Sequence, residues 1–154
     1  MPNWCYTTLN IRGSEEKIKE LSALVKTAEE KEGGLCNLLI PRPAAEDENW
    51  YNWNVDNWGS KWDVHYFLVE YEDDAEISLS FSTAWSQITP IFDELVCRGF
   101  SVSAEFRDEC YGFVGEYENG ITVYFETKLC EDCQELDEPN EDCECEGEGV
   151  IVLR

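Results

Sequence analysis

The sequence predicts an α+β fold built on one antiparallel sheet, and three observations carry that prediction. β-rich runs and two amphipathic stretches follow one another as strand, helix, long insert, strand, strand, helix, strand. An Asn119-Gly120 pair, the signature of a tight two-residue turn, separates two further β-rich runs. Hydrophobic residues make up 43% of the 154 positions, enough to bury a core in one domain of ordinary size.

Residues 3–12, NWCYTTLNIR, alternate as a strand does. Cys5, Thr7, Leu9 and Ile11 line the expected buried side, and Trp4, Tyr6, Thr8 and Asn10 line the other. Ser14 opens a helix around 15–31 as its N-cap, with Ile18, Leu21, Leu24 and Val25 at helical spacing and Gly33-Gly34 at its end. LCNLLIPRP reads as a short apolar arm closed by two prolines. DVHYFLVEYE and EISLSFSTA read as strands joined by an acidic turn, with Ile77, Leu79 and Phe81 inward. A second helix around 86–98 carries Ile88, Ile91, Phe92, Leu95 and Val96 on one stripe; Ser86 is its expected cap, and Pro90 fits its first turn. FSVSAEFRDE is the next strand, and VIVLR has the character of a final edge strand. This βαββαβ order is the ferredoxin-like arrangement. The expected organisation is a ferredoxin-like domain over 1–128, with a Trp-rich insert at 32–63 and an extra hairpin at 111–127, followed by an acidic Cys-rich extension at 129–154.

The motifs MPNWCYTTLNIRG, LLIP, WGSKWD, FSTAWS and GFVGEYENG together resemble the phage- and plasmid-borne family with a YubB-type ferredoxin-like domain. The resemblance runs from Met1 to about Thr127. It implies the ferredoxin-like fold and residence on a mobile genetic element, and it brings no catalytic set to these positions. The Cys-rich tail departs from the family pattern, so its reading rests on its own residues.

Charge narrows the function classes. With 34 acidic residues against 11 basic ones, the net charge is −23, which disfavours direct binding to nucleic acid or to anionic membranes and favours a basic protein partner. The bland alternative is that acidity only keeps the chain soluble. No leader-like start and no span of apolar residues long enough for a bilayer is visible, so the expected location is the bacterial cytoplasm. There the eight cysteines would stay largely reduced.

Residues 129–149 contain no Lys or Arg. Cys130-x-x-Cys133 and Cys143-x-Cys145 offer four thiolates that can close a tetrahedral zinc site, with free thiols and disulfides as the competing fates. Cys5, Cys36, Cys97 and Cys110 are scattered and read as small core residues. His65, the one histidine, shares a strand face with Phe67, Val69 and Tyr71 and reads as a packed strand residue. Glu116 and Glu118 lie on one strand face as two acids side by side, a spacing that any solvated strand also shows. The hydroxyls of Ser82, Thr83 and Ser86 are explained by capping.

The segment ENWYNWNVDNWGSKWD places Trp50, Trp53, Trp58 and Trp62 among asparagines and aspartates. They form no single helical stripe, and Gly59 interrupts them. Two readings stay open: a lid on the open face of the sheet, its indole N–H groups held by nearby Asn and Asp, or an aromatic surface. Under the lid, Trp58 and Trp62 are buried, and Trp50 or Trp53 is partly exposed.

The leading expectation is an acidic interaction protein that occupies the nucleic-acid groove of a basic host defence protein of the CRISPR or restriction kind, as a nucleic-acid mimic. Its contacts are expected from Glu46, Asp47, Glu48, Glu131, Asp132, Glu135, Asp137, Glu138, Glu141 and Asp142, with Trp50 or Trp53 as aromatic anchor. The alternatives are an enzyme acting on a sugar or nucleotide in a Trp- and carboxylate-lined cleft, and a zinc-stabilised adaptor with no inhibitory role. No residue is expected to be catalytic.

Overall fold

The computed structural model describes residues 2–31, 34–131, 145 and 150–154. Among them, seven strands form one antiparallel sheet in the order β2-β3-β1-β4-β5-β6-β7. The strands are β1 (Trp4–Arg12), β2 (His65–Glu72), β3 (Glu76–Ala84), β4 (Ser101–Asp108), β5 (Val114–Glu118), β6 (Ile121–Leu129) and β7 (Val150–Leu153). The helices are α1 (Glu15–Glu30), α2 (Leu35–Leu39), α3 (Trp50–Trp58) and α4 (Thr89–Cys97), with a 3-10 helix, Ala44–Asn49, running into α3.

β1 sits at the centre of the register and sets which face is dry. Its Leu9 lies opposite Leu79 of β3 on one side and Ala104 of β4 on the other; Ile11 likewise faces Ile77 and Val102. Cys5, Leu9 and Ile11 are buried in one cluster with Ile18, Leu21 and Val25 of α1, Leu35 and Leu39 of α2, Trp58 of α3, and Ile91, Phe92 and Leu95 of α4. All four helices therefore cover the same face of the sheet. The opposite face, reached by Tyr6, Thr8, Glu105 and Arg107, has no helical layer among the described residues. Alternation of period two in β1, β3 and β4 is what makes this one-sided burial possible.

β5 and β6 pair across Asn119-Gly120, whose φ values of 45° and 98° are the doubly left-handed turn that matches strand twist. β7 pairs with β6, so residues 150–153 join the sheet rather than extend from it.

Several expectations are corrected. The Trp-rich insert does not cover the open face. Residues 50–58 form a helix, which Gly59 ends in the left-handed conformation at φ 82° rather than interrupts. That helix drives Trp58 into the core on the helical side, where Trp58 Nε1 donates to the carbonyl of Ile40 at 2.9 Å and not to an Asn or Asp. Trp62 is half-buried at the sheet margin, its ring near His65. His65 is exposed, because irregularities in the β2–β3 register and a positive φ of 52° at Tyr66 break the alternation. Cys5 and Cys36 are core residues, but Cys97 and Cys110 are exposed. Ser86 does not cap α4; its hydroxyl donates to the carbonyl of Gly59 and ties the insert to the β3–α4 junction. Ser14 stands at the N-cap of α1 without a side-chain capping bond.

Candidate interaction site

The expected partner-binding residues Glu46, Asp47, Glu48 and Trp50 are brought together on one continuous element. Pro41-Arg42-Pro43 stops the apolar arm, and Pro43 leads into the 3-10 turn that carries the three acids. Glu46 and Asp47 lie in its first turn, where exposed N–H groups favour negative charge. Arg42 fastens this turn to α3. Its Nη1 donates to Asn54 Oδ1 at 3.0 Å, and its Nη2 lies 3.5 Å from Asp47 Oδ1. Asn54 is buried, and its amide donates onward to the carbonyl of Lys61 at 2.8 Å. The acids are therefore carried on a fixed support and not on a free loop.

α3 divides its aromatics between two faces. Asn54 and Trp58, four residues apart, point inward, while Tyr51 and Val55, also four apart, point to solvent. Trp50 is 36% exposed and meets the Tyr51 ring edge-on at 5.9 Å. Trp53 is half-buried, packs against the core, and meets Trp58 edge-on at 5.6 Å. Of the two anchors named from sequence, Trp50 reaches solvent and Trp53 packs against the core. Tyr51 is the residue that sequence reasoning missed; its spacing to Val55 was the available signal.

Beside this patch, Lys61 Nζ lies 4.5 Å from the Trp62 ring centre, 5.2 Å from Trp85 and 5.8 Å from Tyr51. The ammonium is held by ring faces although carboxylates abound in the chain. It links the insert to the strand-to-helix junction.

The remaining predicted residues are less connected. Glu131 is exposed just past the end of β6, and no described contact joins it to the 44–58 segment. Asp132, Glu135, Asp137, Glu138, Glu141 and Asp142 lie outside the described residues, as do Cys133 and Cys143. The other two tail cysteines, Cys130 and Cys145, are both buried. Among the described residues, no group of three or more His, Cys, Asp or Glu is arranged to hold a metal ion. Glu116 and Glu118 share a face as expected, with Glu105 opposite Glu116, and Arg154 reaches over to pair with Glu116.

Titration shifts fall outside the patch. Burial pushes the Cys5 thiol up to about 11, and burial, with the Asp63 carboxylate beside it, raises Cys36 well above its ordinary value; both shifts disfavour the thiolate. Tyr117 is raised by burial and by its hydrogen bond to Asp93 Oδ1 at 2.7 Å, which joins β5 to α4. The described carboxylates take part in six ion pairs, which leaves most of them without a cationic partner among the described residues. No helix among the described residues is long and apolar enough to cross a membrane. Compared with family models, with curated proteins and with solved structures, the chain matches none.

Proposed function

We propose that this chain is an acidic interaction protein of a mobile genetic element, acting in the bacterial cytoplasm on a basic, nucleic-acid-binding defence protein. The observation that carries the reading is the exposed Trp50–Tyr51 pair standing beside Glu46, Asp47 and Glu48 on one braced element. Carboxylates at −23 overall steer a basic groove toward the chain, while each screened surface charge adds little affinity. An aromatic anchor supplies what charge does not, and large exposed rings beside charge are the composition of binding hot spots. The strand order β2-β3-β1-β4, with α1 and α4 on one face, supports the ferredoxin-like reading of the first half of the sheet; β5, β6 and β7 extend it. That agrees with the YubB-type resemblance.

The burial of both Cys130 and Cys145 favours a second component, a structural zinc completed by Cys133 and Cys143. A zinc-stabilised adaptor would share the surface and lack the inhibition. Elemental analysis of reduced protein purified without chelator should find about one zinc per chain, lost in Cys130→Ser. Absence of metal from the parent protein would remove this component.

The test of the main reading is affinity capture from bacterial extract at low salt with three baits: the parent chain, Trp50→Ala and the triple variant E46K/D47K/E48K. The parent should retain a nucleic-acid-binding protein. Trp50→Ala should shorten its residence, and the triple variant should slow its association. Partners without a basic nucleic-acid site, or retention indifferent to all four positions, would overturn the reading.

A further inference from the structure

The face of the sheet opposite the helices carries a cleft of about 520 Å³ that the interaction patch does not use. Tyr6 of β1, Tyr66 of β2, Glu105 and Arg107 of β4, Tyr111 of the β4–β5 connection and Arg154 after β7 all line it. Its size suits one small molecule.

Arg107 is the informative residue. Arg12, Arg42, Arg98 and Arg154 each lie against a carboxylate: Glu76, Asp47, Glu94 and Glu116 respectively. Arg107 makes no ion pair and no side-chain hydrogen bond among the described residues, in a chain where acids outnumber bases 34 to 11. Its guanidinium instead lies 5.2 Å from the Tyr6 ring centre and 5.0 Å from that of Tyr111. Ring contacts of this kind do not use up the guanidinium's N–H donors, which stay available for an oxyanion. Glu105 is its neighbour on the same strand face and lines the same cleft, so the site has an acceptor as well as a donor fork.

The rings are pre-positioned. Buried Asp108 accepts from the backbone N–H of Cys110 at 3.2 Å and of Gly112 at 3.1 Å, fixing the turn that presents Tyr111. Tyr66, at φ 52° in the irregular β2, is thrown outward and is 74% exposed. The Trp4 ring meets it edge-on at 5.9 Å and sets its direction, and the positive φ is a strained conformation of the kind that clusters at binding sites. Ser82, Ser80 and Thr8 add short polar side chains to the wall.

We infer that this cleft binds a small planar ligand carrying one anionic group, of the nucleoside monophosphate class. Tyr66 stacks on the base, the Arg107 edge takes the phosphate, and Glu105 accepts from base or sugar donors. The general repulsion of anions by the −23 chain restricts the site to one phosphate and opposes a polymer. The site is independent of the acidic patch on the 44–58 segment, and either can fail without the other.

The experiment is a titration of the full chain, followed by backbone NMR and calorimetry, with AMP, GMP, CMP and UMP, the matching nucleosides, and inorganic phosphate. At least one monophosphate should bind with a Kd of about 1 mM or tighter, perturbing Tyr6, Tyr66, Arg107 and Tyr111. Its nucleoside should bind at least about tenfold more weakly, and R107Q should bring the monophosphate down to nucleoside affinity. Y66A should weaken both, and this exposed position leaves the core untouched. No binding by any monophosphate would overturn the assignment. So would equal binding of inorganic phosphate, or full affinity in both variants. Tighter binding of a single-stranded oligonucleotide than of its monophosphates would overturn the one-nucleotide class.

Discussion

Trp50 and Trp58 stand at the two ends of the same nine-residue helix, yet they belong to different parts of the physics. Trp58 is 3% exposed, hydrogen-bonded and surrounded by core side chains. Trp58→Ala should therefore cost about 3–5 kcal/mol of stability, by lost burial plus the cavity left behind. Trp50→Ala should stay within about 1 kcal/mol, because its ring already meets water. Urea unfolding of both variants checks the contrast; equal losses would show that Trp50 is structural. Asp73 gives a second residue-scale test. The Tyr71 hydroxyl donates to its carboxylate at 2.7 Å, with the backbone N–H groups of Ala75 and Glu76 each at 2.8 Å. The Tyr71 bond is the largest cause holding Asp73 below its ordinary value of 3.8. A lowered folded value means the turn is stabilised at neutral pH, and that this contribution fades as pH falls from the unfolded value near ~3.9 through the lower folded one. NMR titration should find Asp73 below the usual carboxylate range, and D73N should remove the local pH dependence. An ordinary titration for Asp73 would refute the turn mechanism.

At the scale of elements, one carboxylate ties the two ends of the insert together. Asp63 accepts from the backbone N–H groups of Cys36 and Asn37 at 2.9 Å and of Val64 at 2.8 Å, so it caps α2 from 27 positions away. Asp63→Ala should cost about 1–3 kcal/mol, since it leaves two N–H groups at a helix start without partners. It should also speed alkylation of Cys36, which is fully buried in the parent. Unchanged Cys36 reactivity would mean α2 is held by packing alone. Nothing in the spacing of Asp63 predicted this tie, because the contact is non-local. The strands were more legible. In β1, β3 and β4 every second residue is apolar apart from Thr7, Thr83 and Asp108, and the pleat converts that alternation directly into burial. The insert was not, because α3 buries Asn54 beside Trp58, so its inward stripe looks polar in sequence. Gly59 carries the signal of the helix end, because a glycine that breaks a helical pattern is also the residue that closes one in the left-handed conformation. The cleft on the open face was half legible: alternation put Tyr6 outward and Arg107 opposite the apolar side of β4. Tyr66 was hidden by the irregular register of β2, which no period-two pattern anticipates.

At the scale of the whole molecule, charge governs both stability and encounter. A net −23 with six described ion pairs leaves the folded state under self-repulsion, which salt screens. The melting temperature should rise as sodium chloride is increased from about 20 to about 300 mM, over which the Debye length shortens severalfold. A fall would show that the surface pairs outweigh the repulsion. The same field should draw in a basic partner, while Trp50 and Tyr51 hold it once docked. The most direct measurement of that central claim is competition on the captured partner. The immobilised chain with its bound partner is challenged with increasing duplex DNA at fixed ionic strength. Release that rises toward completion as DNA is added, at a rate no faster than the partner's spontaneous dissociation, is the predicted result. A partner that stays bound under excess DNA would contradict occupation of a nucleic-acid groove by this acidic surface.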